Sequence, residues 1–111
     1  MVIVEAELDR NVDTFKKQDP YAIFEMTDWK FKTKTINNGG KTPKWDETAE
    51  NYIQDTGDEM SVAVWDEDTL DDDLICEGKI ALAQICVEGG SDSWHELSFE
   101  GKTVGKIHLV T

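Results

Sequence analysis

Basic residues, cysteines and long apolar runs are scarce in this chain, and each shortage excludes a class of protein. Eleven Lys and Arg stand against 24 Asp and Glu, a net charge of -13, so no nucleic-acid partner is expected. Only two cysteines occur, Cys76 and Cys86, without metal-type spacing, which indicates reduced thiols in an intracellular protein. No apolar run approaches the ~18 residues of a transmembrane helix, so any membrane contact is expected to be peripheral.

Internal repeats and low-complexity linkers are also absent from the sequence. The 111 residues, with 39% hydrophobic residues and four Trp, suit one domain over residues 1–111. No leader peptide is recognisable ahead of the first strand-like run, which favours a cytoplasmic location.

Short strand-like segments fill the chain, and no long helix is predicted. In Met1–Leu8, strict alternation puts Val2, Val4, Ala6 and Leu8 on one face and Ile3 on the other. Residues 80–85 also suit a short helical turn. This pattern predicts an all-β fold, an antiparallel sandwich of two sheets. The eight predicted strands are Met1–Leu8, Tyr21–Met26, Trp29–Ile36, Trp45–Ile53, Glu59–Trp65, Leu74–Leu82, Trp94–Phe99 and Val104–Val110.

The most acidic stretch directly follows the strand that contains Val62 and Val64. Residues 66–73 hold five aspartates and one glutamate. Carboxylates this close repel by roughly 1–4 kcal/mol per pair at 4 Å. A divalent cation offsets that repulsion, and calcium, which accepts six to eight irregular oxygen ligands, suits such a loop better than magnesium. The alternative interpretation is a solvated acidic turn.

Four motifs in a fixed order carry a resemblance to a known family. Asp13 and Asp19 are followed by Pro20-Tyr21, residues 30–36 form a basic strand, and residues 42–48 form a proline and tryptophan turn. Residues 65–68 and Asp73 make up the last motif. Together they resemble the C2 domain, the calcium-dependent phospholipid-binding sandwich of the protein kinase C and synaptotagmin kind. The resemblance implies an eight-stranded Greek key, and the final strand, residues 105–110, is similar to its type II topology.

The chain departs from this family at three points. Cys76 replaces a usual glycine, Ala49 and Asn51 replace a usual aromatic pair, and the third loop is one residue shorter. The first two departures affect packing, whereas the third leaves the last ligand open between Asp73 and Asp72.

The resemblance implies a calcium site where the first and third loops meet. Two or three ions are expected there, with backbone carbonyls completing the shell. The implied ligands are the carboxylates of Asp13, Asp19, Asp66, Asp68 and Asp73 and the carbonyls of Val12 and Glu67. Asp71 is a candidate for a further oxygen, with a solvated side chain as the alternative.

The function implied by the resemblance is calcium-dependent binding of anionic phospholipid membranes, with phosphatidylserine and phosphoinositides as candidate lipids. Phe15 and Leu70 near the loop tips are candidates for insertion into the membrane. We expect a monomeric, non-enzymatic protein of signalling or membrane trafficking, with a protein partner left open.

A basic patch is the second candidate site. The lysines alternate along the predicted strand Trp29–Ile36, so all three are predicted to share one face, and a solvated lysine face is the alternative. Asp72 stands where family members with a phosphoinositide site carry asparagine, which would oppose a phosphate. By resemblance, Tyr21, Lys30, Lys32 and Trp65 line the patch, and Lys34 is added as the third lysine of the predicted face.

Other interpretations fit the acidic segment less well. An EF-hand that begins at Asp66 would put Leu70 at a ligand position and Asp71 where glycine is required. No base or nucleophile with suitable neighbours accompanies the carboxylates, because His95 and His108 lie in strand-like runs. The remaining alternative is a protein-interaction module in which calcium is absent or only structural.

Overall fold

Eight strands and one short helix make up the computed structural model, which describes residues 1–13, 16–50 and 53–111. The elements are β1 Val2–Leu8, β2 Pro20–Met26, β3 Trp29–Lys32, β4 Lys44–Thr48, β5 Glu59–Asp66, β6 Asp73–Ala81, α1 Leu82–Ile85, β7 Asp92–Phe99 and β8 Lys102–Val110.

The strands pair in the order β3-β2-β5-β6-β7-β8-β1-β4, and every pair is antiparallel. Only Glu77 and Ser98 pair between β6 and β7, so the sheet curls there into two halves. The predicted eight-stranded antiparallel sandwich is confirmed. The final strand, β8, lies between β7 and β1, as the type II topology requires.

The core lies between the two halves of the sheet, because alternate residues of each strand point inward. Burial of apolar surface contributes about 25 cal/mol per Å² to folding. Cys76 is part of this core, opposite Val64, and burial raises the pKa of its thiol to about 12. The largest fully buried apolar side chains are Phe24, Ile3, Met60, Ile75, Leu82, Ile85, Leu97, Ile107, Leu109, Val62 and Val64.

The predicted faces of β1 are wrong in its first half. Ile3, Ala6 and Leu8 are buried, whereas Val2 and Val4 are only partly so. A β-bulge between Ile3 and Glu5 shifts the register against both β8 and β4. One extra residue reverses the alternation, which a strict period of two cannot anticipate.

β3 is shorter than predicted, and the cause is the buried side chain of Thr33. Its hydroxyl accepts the Ala22 N–H at 2.9 Å, which replaces a bond of the sheet ladder. The strand therefore ends at Lys32, and the Lys34 N–H instead donates to the Glu47 carboxylate on β4 at 2.9 Å. The prediction of three lysines along one strand face is thus wrong for Lys34.

β4 and the segment after β6 also differ from the sequence prediction. β4 ends at Thr48 rather than Ile53, and residues 51 and 52 of the predicted strand, including Asn51, lie outside the described residues. Of residues 80–85, for which both a strand and a helical turn were predicted, the first two end β6 and the other four form the helix Leu82–Ile85.

Cross-strand pairs fix the end of the sandwich where the acidic loops lie. Pro20 at the start of β2 pairs with Asp66 at the end of β5, and Asp66 pairs with Asp73 at the start of β6. The segments before Pro20 and between Asp66 and Asp73 therefore leave the same end of the sheet side by side.

His108 links three strands on the outer face of the half of the sheet formed by β7, β8, β1 and β4. The imidazole of His108 on β8 lies 2.5 Å from the Asp92 carboxylate and 3.6 Å from that of Glu5, and it stacks on Trp94 with ring centroids 5.0 Å apart. The hydrogen bond to Asp92, together with the charges of both carboxylates, raises the pKa of His108. His95, by contrast, has its pKa lowered by burial.

We predict that His108→Gln destabilises the domain more at about pH 5.5 than at about pH 8.5. The folded pKa of His108 lies above its ordinary 6.5, so its stabilisation is complete below that value and is lost as the pH rises through the folded pKa. Thermal unfolding followed by circular dichroism measures the difference between variant and wild type. His95→Gln is the matched control and should show the opposite trend, and a pH-independent effect of His108→Gln would contradict the prediction.

Candidate functional site

The first and third loops meet at a hydrogen bond between two aspartates. The backbone N–H of Asp19 donates to Asp66 Oδ1 at 2.7 Å, and the Glu67 N–H donates to the Asp19 carbonyl at 3.0 Å. Both aspartates are buried, with 8% of Asp19 and 1% of Asp66 exposed. The structure therefore brings the two aspartate groups of the predicted site into direct contact.

Negative charge accumulates around Asp66. Its pKa is raised above the ordinary value, first by desolvation and then by the charges of Asp13, Asp19 and Asp68. Three of the other four predicted carboxylate ligands thus lie close enough to influence Asp66. Such a cluster favours a bound cation because each added positive charge relieves several repulsions.

Loop 1, residues 9–19, is held in place by Gln18, which sequence reasoning did not single out. Its buried side chain accepts the Val12 N–H at 3.1 Å and donates to the carbonyls of Arg10 and Gly40, each at 2.9 Å. One amide therefore ties the two ends of loop 1 to the turn that precedes β4. A fully buried glutamine between two charged segments carries no signal in a single sequence.

Asn38 is a second anchor that the sequence did not reveal as part of the site. Its backbone N–H donates to Asp19 Oδ1 at 2.7 Å, and its φ of 58° lies in the left-handed region that asparagine tolerates. The residues Asn37-Asn38-Gly39-Gly40 are typical of a turn, but nothing in that pattern predicts its contact with loop 1. Gly39 permits the approach, because a Cβ there would lie 3.0 Å from Pro20 Cδ.

Lys16 is the third residue that sequence reasoning missed. Its ammonium lies 2.9 Å from Asp19 Oδ2, and its backbone N–H donates to Asp13 Oδ1 at 3.2 Å. A hydrogen bond to Asp19 and the charges of Asp19, Asp13 and Asp66 raise the pKa of this lysine. Its position midway between Asp13 and Asp19, both predicted to bind a metal, was the one feature of the sequence that could have indicated this contact.

Loop 3, residues 67–72, folds around the Asp72 carboxylate. Asp72 accepts the Asp68 N–H at 3.0 Å and also the hydroxyl of Tyr21 on β2. The Tyr21 bond, the Asp68 N–H and the nearby Lys32 lower the pKa of Asp72, whereas burial and Asp72 raise the pKa of Tyr21. Both carboxylate oxygens of Asp72 are therefore engaged in shaping the loop.

The remaining predicted ligands lie around the same loops. Asp73 pairs with Asp66 across β5 and β6, and it borders a depression with Arg10 and Val12. Asp71 is exposed, and the Glu67 carboxylate accepts the hydroxyl of Thr35. Leu70 is 91% exposed, whereas Phe15 lies outside the described residues.

The donor set of the two loops suits calcium, because its carboxylates supply only oxygen, the ligand atom that this hard cation prefers. Asp19 and Asp66 each have one oxygen anchored by a backbone N–H, so both carboxylates are already oriented. Within residues 1–13, 16–50 and 53–111, no three His, Cys, Asp or Glu side chains form a ready-made metal arrangement. Lys16 holds the second oxygen of Asp19 instead.

Two of the three lysines of the basic patch, Lys30 and Lys32, lie on the outer face of strands β3, β2 and β5. The Lys32 ammonium lies 4.4 Å from the centroid of the Tyr21 ring, and Tyr21 pairs with Trp65. The Lys30 ammonium lies 4.0 Å from the Glu25 carboxylate and borders a groove of about 570 Å³ together with Trp65. Lys34 lies beyond the end of this strand.

Comparison with known proteins agrees with this geometry. A sequence model of the C2 domain matches residues 1–97. This chain belongs to the C2 domain family. The chain is 33% identical over 94 residues to extended synaptotagmin-2-A of Xenopus laevis. This alignment covers 84% of this chain and 10% of that relative. The chain thus spans about a tenth of that curated relative's length.

Solved C2 domains share this fold. The chain superposes on a structure of two adjacent C2 domains of extended synaptotagmin 2 with a TM-score of 0.81 and 30% identity, over 98% of this chain and 38% of that one. A calcium-bound structure of the same two domains gives a TM-score of 0.77 and 28% identity, over 98% and 42%. In the part of this C2 domain that the structure describes, no helix is long and apolar enough to cross a bilayer.

We predict that Asp66→Asn raises the melting temperature of the calcium-free domain by about 2–5 °C, a gain on the order of 1 kcal/mol. The amide oxygen still accepts the Asp19 N–H, but the buried charge and its repulsions are gone. Because the folded pKa of Asp66 is raised, this gain is complete above that pKa and vanishes below the ordinary value of 3.8.

Differential scanning calorimetry with a chelator measures the melting temperature of each protein. Asp71→Asn makes the same charge change at an exposed position and should leave it within about 1 °C of wild type. A lower melting temperature for Asp66→Asn would contradict the prediction.

Proposed function

We propose that this C2 domain binds calcium at the junction of loops 1 and 3 and then docks on anionic phospholipid membranes. The observation that carries the proposal is the accumulation of three carboxylates, those of Asp13, Asp19 and Asp68, around the buried side chain of Asp66. Without a cation, this arrangement costs stability in the folded state. The relation to a calcium-bound extended synaptotagmin 2 structure supports calcium as the cation.

The residues proposed to hold calcium are those predicted from the sequence. Asp19 and Asp66, joined by a hydrogen bond, form the buried part of the site. Asp13 and Asp68 add negative charge from loops 1 and 3. The proposed ligands for two or three ions are the carboxylates of Asp13, Asp19, Asp66, Asp68 and Asp73, the carbonyls of Val12 and Glu67, and an oxygen of Asp71.

The proposed mechanism is an electrostatic switch. The calcium-free loop end is strongly negative and is repelled by anionic headgroups. Bound calcium reverses this charge and offers coordination positions to phosphate oxygens. Leu70, at the tip of loop 3 and 91% exposed, is placed to enter the interface. Calcium and anionic lipid should therefore strengthen each other's binding.

The basic patch is proposed to select among anionic lipids. Lys30 and Lys32 lie on one strand face, and each lysine near an anionic surface contributes about 1 kcal/mol. Two lysines are too few for stable docking but enough to distinguish lipids. Glu25 beside Lys30 and Asp72 beside Tyr21 reduce the local positive charge, so we expect a preference rather than an absolute requirement for phosphoinositides.

We further propose that residues 1–111 act as one monomeric, non-enzymatic C2 domain at the cytoplasmic face of a membrane. The observations favour a binding module, since the proposed site consists of carboxylates fixed by backbone bonds. The alternative is a protein-interaction module with a purely structural calcium site, and it makes a different prediction in the experiment that follows.

Cosedimentation with vesicles tests the proposal. Wild type should pellet with phosphatidylserine vesicles in calcium and remain soluble with a chelator. Asp66→Asn/Asp68→Asn should lower the calcium-dependent bound fraction at least about tenfold, because two carboxylates near the ions are lost. Glu88→Gln/Glu100→Gln, two exposed acids outside the site, is the charge-matched control and should behave as wild type.

Two results of this experiment would contradict the proposal. Calcium binding by calorimetry without partition onto any vesicle would favour the protein-interaction module. Equal pelleting with calcium and with chelator would exclude a calcium switch.

The basic patch has its own prediction. Lys30→Ala/Lys32→Ala should lose the added binding to vesicles that contain phosphoinositide, a fall of about tenfold, and keep binding to phosphatidylserine alone in calcium. Lys41→Ala/Lys44→Ala carries the same charge change on exposed residues elsewhere and serves as the control. Equal losses for the two pairs would show that net charge, rather than the patch, determines lipid choice.

A further inference from the structure

Lys16 holds an oxygen that the proposed calcium site requires. Asp19 Oδ1 is engaged by the Asn38 N–H at 2.7 Å, and Asp19 Oδ2 by the Lys16 ammonium at 2.9 Å. The first bond is to the backbone of a fixed turn, whereas the second is to a long, rotatable side chain. An ion that ligates Asp19 through Oδ2 must therefore displace Lys16.

The lysine responds to the whole cluster and not to one partner alone. Its ammonium is stabilised by Asp19 first, and by the charges of Asp13 and Asp66 as well. These are three of the carboxylates assigned to calcium. Lys16 thus neutralises, in the calcium-free domain, part of the repulsion that a divalent ion would neutralise in the loaded one.

The solvent exposure of Asp19 and Lys16 makes displacement of the lysine by an ion feasible. The side chain of Asp19 is 11% exposed and that of Lys16 is 57% exposed, so the lysine reaches in from the solvent side. When Asp19 binds an ion, the ammonium can return to water without rearrangement of the buried part of the site. The backbone bonds of Asp19 and Asp66 would remain in place.

We propose that Lys16 is a built-in competitor of calcium, an autoinhibitory cation that occupies the site at low calcium and raises the concentration needed to fill it. This inference rests on the proposed calcium site. It assigns to loop 1 a second role besides ligation, because the segment from Asp13 to Asp19 supplies two carboxylates and also the cation that opposes their loading.

Lys17 provides a matched control within the same loop. It is the next residue, carries the same charge and is exposed, but its side chain runs over Gly40, where a Cβ would lie 3.6 Å from Lys17 Cδ. Replacement of either lysine by alanine makes the same change in net charge. Only Lys16→Ala removes the partner of Asp19.

Calcium titration calorimetry without lipid tests the inference on wild type, Lys16→Ala, Lys17→Ala and Lys16→Arg. We expect Lys16→Ala to bind calcium about threefold to tenfold more tightly than Lys17→Ala, because the two variants differ only in the ion pair with Asp19 that is lost. Lys16→Arg keeps the cation and should stay near wild type. Binding by Lys16→Ala alone would also support the inference.

Thermal unfolding with a chelator gives an independent readout. Lys16→Ala should lower the melting temperature of the calcium-free domain relative to Lys17→Ala, because the carboxylates lose their cation, and calcium should reverse the loss.

The contrary outcomes separate this inference from the proposed function. If wild type binds calcium and the two alanine variants bind it equally well, Lys16 is not a competitor and the calcium site stands. If Lys16→Ala binds calcium less tightly than Lys17→Ala, the lysine assists loading and the inference is wrong. If no variant binds calcium, both the inference and the proposed function are wrong.

Discussion

The hydrogen bond from the Asp19 backbone to the buried Asp66 carboxylate determines the form of the loop end. It joins the residue before β2 to the last residue of β5, two positions 47 residues apart in the chain. Because the acceptor is a charged group with 1% exposure, the bond partly offsets the cost of its burial. Separation of loops 1 and 3 would break this bond and the one from the Glu67 N–H to the Asp19 carbonyl. Their proximity is therefore built into the sheet rather than imposed by a ligand.

Much of this architecture follows from local sequence patterns. Alternating apolar residues and the turns between them predicted the eight strands, and the family resemblance carried by Asp13, Asp19 and residues 65–68 implied which loops come together. The physical reason is that register is strongly specified wherever one strand face is buried. The pairs of Pro20 with Asp66 and of Asp66 with Asp73 then fix the acidic loops at one end.

The features that the sequence did not predict share a different physical origin. The bulge near Val4 changes the register by one residue, and the hydroxyl of Thr33 replaces a backbone acceptor, so neither follows from periodicity. Gln18, Asn38 and Lys16 act through hydrogen bonds between segments distant in the chain or across a loop. Such contacts depend on the folded path of the loops. Ligation of calcium by the acidic residues stays a prediction.

The contact between Tyr21 and Asp72 has a consequence for how the two candidate surfaces relate. Tyr21 lies beneath the ammonium of Lys32 and holds, through its hydroxyl, the carboxylate around which loop 3 folds. Loop 3 and the basic patch therefore both contact the side chain of Tyr21. A change in loop 3 that moves the Asp72 carboxylate would therefore also disturb the ring that Lys32 contacts.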